Sequence, residues 1–448
     1  MNTKKVLLVK YGEISLRKGN RAFFEHALLD TIRRNLKPIN DGNLRVSREQ
    51  GRFLIENTTG DLDTTAVLPR IRHIFGIAAF CHAVKTSARD IADLAKIGLD
   101  FFSTIVNAGT AAQATSPDGK TPPREYSASD EWRGLPVGAK PATPAPQEPT
   151  RLRDDATPTT TCPRSRPPQA FKVATKRSDK KYPLTSMQIS AAIGEAIFFG
   201  LNLPVDLHKP DITLWVEIRN DVYFYVNSEK GEGGLPYGAS GKGVLLLSGG
   251  FDSPVAGYLA ARRGVEIVAA YFHSPPFVSE RAADKVRDLI QALEKYTSRI
   301  KLCIIPFTEI QLFLKQNVSE AKLTIYLKRA MLHIASRLAE RENALCLITG
   351  DSIGQVASQT IHSLAAMDSA ATLPVLRPLA AMDKQQIIDI ANTIGTYDIS
   401  VRPYEDCCTV FVAKHPENKP NKAAIEKHEA RFIEELFALV DKALDSAV

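Results

Sequence analysis

Residues 244–255 constrain the fold of this chain more than any other stretch of its sequence. Four consecutive apolar residues at 244–247 predict a buried strand, which Ser-Gly-Gly-Phe-Asp-Ser at 248–253 then ends. Pro254 suits the first turn of a helix, and that helix is expected to stop at Gly264. Backbone N–H groups and the helix dipole both favour an anion where a glycine-rich turn meets a helix N-terminus. The stretch therefore predicts a phosphate-binding loop.

Two glycines after a strand also occur in ordinary strand–helix turns, so the glycines alone would not assign a function. The hexapeptide at 248–253 is more specific. It lacks the Lys that a Walker loop places before its Ser or Thr. It resembles instead the PP-loop, Ser-Gly-Gly-x-Asp-Ser, of ATP pyrophosphatases that adenylate a carbonyl oxygen. The resemblance implies that Asp252 helps to place metal-bound phosphates and that the rest of the loop holds pyrophosphate. The residues implied are Ser248, Gly249, Gly250 and Ser253.

Composition excludes several classes of protein. No apolar run approaches the length of a membrane span, and the charged N-terminus lacks the cleavage site of a signal peptide. Six cysteines in 448 residues do not make a disulfide scaffold, and their spacing offers no zinc set. We therefore expect a cytoplasmic protein with reduced thiols, no membrane partner and no metal-binding residues. The net charge of +7 permits a polyanionic partner.

Changes of pattern along the chain predict its domains. Strands and helices in the order βαββαβ predict a ferredoxin-like α+β module at 1–75, a fold that by itself says nothing of function. Residues 110–168 are rich in Pro, Thr, Ala and Ser without periodicity, so we expect them to be disordered. Alternating strands and helices predict an α/β domain with a doubly wound parallel sheet at 240–415. A helical tail should follow at 416–448.

The parallel sheet predicts where a ligand binds. Ligands in such sheets lie at the carboxyl ends of the strands. The loop at 248–253, the segment at 271–274 and the segment at 349–352 each follow a predicted strand, so the three should converge. Taken singly, His273 would be an ordinary structural histidine, and Gly350 with its neighbour a plain turn.

A basic run follows the low-complexity stretch. Phe-Lys-Val-Ala-Thr-Lys-Arg-Ser-Asp-Lys-Lys-Tyr-Pro at 171–183 predicts a strand that ends in a cluster of cations. Such runs are commonly just solvated faces, but here aromatic residues are interleaved and a helix follows. The segment resembles the THUMP domain of RNA-modifying enzymes, which would extend over 76–230 with 110–168 as a looped-out insertion. The resemblance implies that the cations contact RNA phosphates. They are Lys172, Lys176, Arg177, Lys180 and Lys181.

Taken together, the motifs resemble one family, the tRNA 4-thiouridine synthases (tRNA uridine 4-sulfurtransferases). Besides the PP-loop, the matching segments are Tyr-Phe-His-Ser-Pro-Pro-Phe at 271–277, Thr-Gly-Asp-Ser-Ile-Gly-Gln at 349–355, Leu-Arg-Pro-Leu-Ala-Ala-Met-Asp-Lys at 376–384 and Pro-Tyr-Glu-Asp-Cys-Cys-Thr-Val-Phe at 403–411. The resemblance implies an ATP- and Mg²⁺-dependent enzyme that adenylates O4 of the uridine at tRNA position 8. A persulfide sulfur then displaces AMP.

The resemblance also implies roles for single residues. Asp252 would organise Mg²⁺ and pyrophosphate, and Lys384 would offset charge on the separating phosphates. Without the resemblance, Lys384 would be taken for a surface lysine at a helix N-terminus. The family has an Arg in the helix before Gly350, and this chain has Lys328 and Arg329 there. The other ATP contacts implied are Leu246, Leu247, Tyr271, Phe272, Gly350 and Gln359.

Cys407 and Cys408 form a second chemical centre. Adjacent cysteines are usually small buried hydrophobic residues, but these follow two acidic residues. The resemblance implies a catalytic cysteine that attacks the donor persulfide and releases its sulfur. An ungapped match assigns that role to Cys407, and a shift of one residue assigns it to Cys408.

Some members of the family carry a C-terminal rhodanese domain whose cysteine bears the persulfide. This chain ends too soon after Cys408 for such a domain, so we expect the form without it. Sulfur would then come from a cysteine desulfurase or another persulfide donor, and a role in thiamine thiazole synthesis becomes doubtful. Family members are often dimers, which makes a homodimer a further expectation. The alternatives are another PP-loop adenylating RNA-modifying enzyme, or an RNA-binding protein with a vestigial PP-loop.

Overall fold

A computed structural model describes residues 3–16, 19–114, 170–226, 228–404 and 417–448. The chain forms two compact units. One contains residues 3–85 and 227–448, and the other contains residues 86–226. Within the described ranges, no helix combines the length and the hydropathy that crossing a membrane requires.

The first unit begins with a ferredoxin-like module. Its strands lie in the order β2-β3-β1-β4, and both β1 and β2 run antiparallel to β3. Helix α1 buries Leu28 and Ile32 against the sheet residues Phe53 and Ile55. The predicted βαββαβ order is confirmed. The bounds are β1 Thr3–Tyr11, α1 Arg21–Leu36, β2 Leu44–Glu49, β3 Arg52–Asn57, α2 Thr64–Ile71 and β4 Ile77–Thr86.

The second unit packs two helices on strands. Strand β5 is parallel to β6, and β6 is antiparallel to β7. Helices α3 and α4 approach closely at Gly98, where an added Cβ would lie 2.8 Å from Cγ2 of Ile193. The bounds are α3 Ile91–Ala114, β5 Phe171–Arg177, α4 Ser186–Leu201, β6 Ile212–Ile218 and β7 Val222–Tyr225. Helix α3 thus continues into the predicted insertion, and residues 115–169 lie outside the described residues.

The rest of the first unit is built on a five-stranded sheet. Its order is β11-β10-β9-β12-β13, and its four neighbouring pairs of strands are parallel. The short strand β8 pairs with β4 instead. The strand bounds are β8 Glu229–Lys230, β9 Lys242–Leu247, β10 Glu266–His273, β11 Lys301–Pro306, β12 Cys346–Ile348 and β13 Val375–Leu376.

Helices cover both faces of this sheet, as the doubly wound prediction requires. Helices α5, α6 and α10 bury their apolar residues mainly on one face. Helices α7, α8, α9, α12 and α13 cover the other. The bounds are α5 Asp252–Arg262, α6 Glu280–Leu293, α7 Thr308–Asn317, α8 Glu320–Glu342, α9 Ile361–Asp368, α10 Lys384–Thr393, α11 Tyr397–Ser400, α12 Lys422–Glu429 and α13 Ile433–Asp445. Short 3₁₀ helices occur at Glu13–Leu16, Lys37–Ile39 and Ala357–Gln359.

The sequence pattern predicts one continuous helix at 307–339 and another at 421–447, and each of them is broken in two. The predicted helix at 307–339 is α7 and α8, separated by extended backbone at Val318 and Ser319. A single helix of that length would extend about 50 Å, which exceeds the width of a small domain. The break lets Leu314 of α7 and Leu323 of α8 enter the same core. The predicted tail helix at 421–447 is likewise divided into α12 and α13.

Candidate active site

A cavity of about 200 Å³ lies at the carboxyl ends of β9, β10 and β12. Strand β9 is central, with β10 on one side and β12 on the other. The chain passes from β9 to β10 and β11 on one side, and then crosses back to β12 on the opposite side of β9. Such a reversal opens a crevice in an open α/β sheet. The three strand tips that we expected to converge do so. They contribute Leu246, Leu247, Ser248, Asp252, Ser253, Tyr271, Phe272, Thr349, Gly350 and Asp351 to the lining.

The loop at 248–253 is braced from within. The Ser248 N–H donates to Oγ of Ser253 over 2.9 Å, and the two hydroxyl oxygens lie 3.0 Å apart. Ser253 is buried, so its hydroxyl holds the loop in one shape. Helix α5 begins immediately at Asp252, and Phe251 before it supplies no side-chain cap. The first N–H groups of α5 are therefore available to an anion.

Gly250 and Gly350 are glycines for different reasons. A Cβ added to Gly250 would meet only Oγ of Ser248, at 3.7 Å, and the residue has no left-handed backbone. The protein itself would therefore accept a side chain there, and the open space suits a ligand. A Cβ added to Gly350 would lie 2.7 Å from the Ser253 nitrogen. The tip of β12 thus touches the start of α5 directly, backbone against backbone.

The Asp252 carboxylate is a buried acceptor that is only partly satisfied. Its Oδ2 accepts a 3.3 Å hydrogen bond from Nε2 of Gln355, whereas Oδ1 is buried and has no partner among the described residues. Burial raises the pKa of Asp252, and Gln355 and the charge of Lys384 oppose that rise. A cation beside Oδ1 would relieve the cost of burying this charge.

The residues present fit Mg²⁺ in one specific way. No cluster of three or more His, Cys, Asp and Glu side chains could hold a metal within the part of the chain that the structure describes. Mg²⁺ commonly binds through one or two carboxylates together with substrate phosphates and water. The open Oδ1 of Asp252 supplies such a ligand next to the predicted phosphate loop.

Asp351 is a second buried carboxylate, and cations already neutralise it. It accepts a 3.0 Å hydrogen bond from Nζ of Lys328 and one of 2.8 Å from Oγ1 of Thr349. Nε of Arg377 lies 3.5 Å from its Oδ2. Although burial acts in the opposite direction, Lys328, Thr349 and Arg377 lower the pKa of Asp351. Asp351 therefore stays ionised and holds both cations at the cavity.

Lys328 and Arg329, which the sequence could not separate, point to different places. Lys328 lines the cavity. The Arg329 side chain is buried in an ion pair with Glu429 of α12, and it also donates to the Ala366 carbonyl and to Oγ of Ser369 at 2.7 Å. Arg329 thus supports α9 behind the cavity and does not face it.

Of the remaining residues predicted to act on ATP, Gln359 lines the cavity and Lys384 lies outside it. Gln359 donates from Nε2 to Oδ1 of Asp351 over 3.3 Å, and its own Oε1 is buried with no partner among the described residues. Lys384 is exposed at the start of α10, with Nζ 5.9 Å from the centre of the Phe251 ring. It does not line the cavity but acts on Asp252 through its charge.

The structure adds residues that sequence reasoning missed. Met331, Leu332 and Met367 make one wall of the cavity apolar, together with Phe272, which was predicted. They come from α8 and α9, where an apolar residue at helical spacing cannot be distinguished from core. Arg377 does carry a signal, because it directly follows β13 inside a segment that matches the family.

Cys407 and Cys408 lie outside the described residues. The segment that precedes them is anchored to α6. Nζ of Lys285, a lysine only 4% exposed, donates to the carbonyl oxygens of Arg402 at 3.0 Å and Tyr404 at 3.4 Å. Arg402 also pairs with Asp288.

The predicted RNA-binding cations of the second unit do not all have the same role. Nη1 of Arg177 donates to the carbonyl oxygens of Tyr182 at 2.7 Å and Leu184 at 2.9 Å, which holds the turn after β5. The other four predicted cations form no ion pair with any described residue; they are Lys172, Lys176, Lys180 and Lys181. Trp215, which was not predicted, is 42% exposed. It pairs with Ala174 of β5, which lies between Lys172 and Lys176 along that strand.

Three family models match separate parts of this chain. The family model described as "Thiamine biosynthesis protein (ThiI)" matches residues 238–433, "ThiI ferredoxin-like domain" matches 6–81 and "THUMP domain" matches 163–227. The domain limits predicted from the sequence differ from these ranges, most of all for the THUMP domain, which was predicted at 76–230, and they stay predictions.

Individual relatives match along nearly their full length. The chain is 41% identical to the "Probable tRNA sulfurtransferase" of Lachnoclostridium phytofermentans, covering 99% of this chain and 98% of that protein. It is 39% identical to the protein of the same description in Agathobacter rectalis, covering 99% and 97%. The crystal structure of a 4-thiouridine synthetase–RNA complex with bound ATP superposes with a TM-score of 0.78 at 32% identity, covering 99% of this chain and 98% of that one.

Proposed function

Because this chain belongs to the tRNA sulfurtransferase family, we propose that it uses ATP to adenylate a uridine of tRNA and then replaces the activated oxygen with sulfur, giving 4-thiouridine. One observation carries the proposal from the family to this molecule. At the tip of β9, the start of an uncapped helix and Asp252, whose buried carboxylate oxygen has no described partner, line one cavity, and the open Gly250 lies in the same loop.

The cavity has the two ends that ATP needs. Its apolar wall, with Phe272 and Met331, suits the adenine base. Its polar end, with the loop at 248–253 and Lys328, suits the phosphates. Mg²⁺, when bound, would offset phosphate charge, and Oδ1 of Asp252 would hold it. Lys384 would add positive charge as pyrophosphate separates.

The proposed reaction has two steps. O4 of uridine, at tRNA position 8, attacks the α-phosphorus of ATP, and pyrophosphate leaves. The terminal sulfur of a donor persulfide then attacks C4, and AMP departs with O4. The thiolate of Cys407 or Cys408 finally attacks the inner sulfur of the donor, which forms a disulfide and leaves the transferred sulfur on the uridine. The choice between the two cysteines rests on the family resemblance and is left to experiment.

The partners follow from this chemistry. The four lysines that form no ion pair with a described residue, and the exposed Trp215, would bind RNA through phosphate contacts and base stacking. A cysteine desulfurase or another persulfide carrier would supply sulfur in the cytoplasm. A homodimer and delivery of sulfur to thiamine thiazole synthesis are further parts of the proposal, and the thiamine role rests on the name of the family model alone.

The test is reconstitution. Purified protein, ATP, Mg²⁺, unmodified tRNA and either free sulfide or a persulfide donor are combined, and 4-thiouridine is read by its near-ultraviolet absorbance. Asp252→Ala should abolish thiolation with both sulfur sources. Cys407→Ser or Cys408→Ser should abolish it with the persulfide donor only, and the variant that does so identifies the cysteine.

Other outcomes would select a different function. AMP formation that depends on tRNA but yields no 4-thiouridine would indicate another PP-loop RNA-modifying enzyme. Salt-dependent tRNA binding without release of AMP or pyrophosphate would indicate an RNA-binding protein.

A further inference from the structure

A second cavity, of about 270 Å³, lies where the ferredoxin-like module meets the parallel-sheet domain. We call it the junction cavity. Both of its sides belong to the same compact unit. One side comes from the ends of α1 and α2, and the other comes from residues 295–298 just after α6.

The lining of the junction cavity is strongly basic. Arg34, Arg70, His73 and Lys295 contribute to it, and no aspartate or glutamate does within the described part of the chain. Arg34, Arg70 and Lys295 form no ion pair with any described residue, whereas His73 lies 3.1 Å from Glu232. Three positive charges therefore meet at one concave surface without compensation.

Helix geometry explains only part of this arrangement. Arg34 and Arg70 lie in the last turns of α1 and α2, and Lys295 follows the end of α6. Each cation is therefore stabilised by the negative end of a helix dipole. That interaction is weak at an exposed position, and it forms whichever way the helix end points. It gives no reason for three such ends to share one cavity.

The cavity is also built on a fixed wall. Phe75 of the ferredoxin-like module is 1% exposed and stacks on Tyr296, with ring centres 6.2 Å apart and planes 23° from parallel. Tyr296 in turn meets His73 edge to face at 4.8 Å. These buried contacts hold the two sides of the cavity at a set spacing, so its cations need little reorganisation to meet an anion.

We propose that the junction cavity binds a backbone phosphate of the RNA substrate. The inference rests on the proposed function, since it gives that RNA a contact point on the unit that carries the ATP cavity. Arginine presents a planar fork of donors that matches phosphate oxygens, and lysine adds a point charge. Arg34, Arg70 and Lys295 are all exposed, which suits a passing phosphodiester chain better than an enclosed small anion.

The experiment compares tRNA binding by two variants that remove equal charge. Arg34→Gln with Arg70→Gln alters the junction cavity. Lys427→Gln with Arg431→Gln is the matched control, because both residues are exposed and lie by α12, on the opposite face of the parallel sheet. Binding is measured by fluorescence anisotropy across a series of salt concentrations, and ATP binding and thermal unfolding are measured in parallel.

The junction variant should bind tRNA more weakly than the control. Its slope of log K against log salt should be shallower by about 1 to 2, since each phosphate contact contributes about 0.9 to that slope. ATP binding and the unfolding temperature should stay at wild-type values. Lys295→Gln alone should lower the slope by about 1, and it replaces the double variant if that variant does not fold.

Three results would overturn the proposal. If the junction and control variants have the same slope while the wild type still thiolates tRNA, the cavity does not bind RNA and the proposed function stands. Inorganic phosphate is titrated as a second arm, by calorimetry. If it binds the wild type but not the junction variant, and tRNA binding is unaltered, the cavity is a small-anion site. A wild type that neither binds nor thiolates tRNA would refute the proposed function and this inference together.

Discussion

Replacing Gly350 by alanine should both destabilise the parallel-sheet domain and weaken ATP binding. The added Cβ would lie 2.7 Å from the nitrogen of Ser253, 2.8 Å from the carbonyl carbon of Asp252 and 2.9 Å from Cα of Ser253. All three are backbone atoms of the first turn of α5, so none can rotate away. Since non-bonded carbon atoms prefer about 3.5–4.0 Å, the loop and the tip of β12 must separate by roughly 1 Å.

That displacement sets the expected magnitudes. Overpacking a closely packed site costs about 1–3 kcal/mol, which corresponds to a fall of about 2–12 °C in unfolding temperature for a domain of this size. The same movement shifts the N–H groups of α5 relative to Lys328, which also lines the cavity. A misplacement of about 1 Å can reduce a reaction rate about 100-fold, so ATP turnover should fall by one to two orders of magnitude.

Gly250→Ala is the matched control. Its Cβ would meet only Oγ of Ser248, at 3.7 Å, so the nucleotide-free protein should unfold at the wild-type temperature or slightly above it. The new methyl group would nevertheless occupy the space of the expected phosphate, and ATP binding should be lost. Thermal unfolding without nucleotide and calorimetry with ATP measure both effects. The steric reasoning fails if Gly350→Ala unfolds like the wild type, or if Gly250→Ala is equally destabilised.

Three further substitutions test single interactions. Glu429→Gln should lower the unfolding temperature at neutral pH by leaving Arg329 buried without its counter-charge, at a cost of about 3–5 kcal/mol. Burial favours a higher pKa for Glu429, but His333 and Arg329 lower that pKa from 4.5 to about 2. In melts across a pH series, the difference in unfolding temperature between the variant and the wild type should therefore be complete above pH 4.5 and vanish as pH falls towards 2. Lys328→Met should raise the Kd for ATP at least tenfold and should also lower the unfolding temperature, because the buried Asp351 loses one of its two cations, and unchanged affinity by calorimetry would contradict the placement of Lys328 at the cavity. Arg177→Ala should destabilise the second unit by leaving two carbonyls without their donor while the salt dependence of tRNA binding stays constant, so a shallower slope would show that Arg177 contacts RNA after all.

The loop at 248–253 and the start of α5 could be predicted because their determinants are local. Residues 244–264 specify a strand, a turn and a helix start within one stretch of chain, and the carboxyl ends of parallel strands must share one edge of the sheet. The βαββαβ order and the alternation of strands and helices likewise follow from periodicity in short windows, and both are observed. The family motifs coincide with these same local features.

Side-chain direction could not be read from the sequence, because it depends on what packs from far along the chain. Lys328 and Arg329 are neighbours on one helix, and only the placement of Glu429, 100 residues away, directs Arg329 away from the cavity. Arg177 looked like its neighbouring lysines until two carbonyls were found to occupy its guanidinium group. Burial of Arg329 and partial burial of Arg177 favour these partners over water, and that choice exists only after folding.

The sequence by itself determined the order of the elements, the phosphate loop and the residue types that chemistry at that loop requires. Tertiary structure alone decided which cations face the cavity, where the long helices break, why Gly350 must be glycine and that three helix ends share the junction cavity. The physical reason is one of range. Backbone propensity and helix dipoles act over a few residues, whereas packing and the neutralisation of buried charge are settled between segments that meet only in the folded chain.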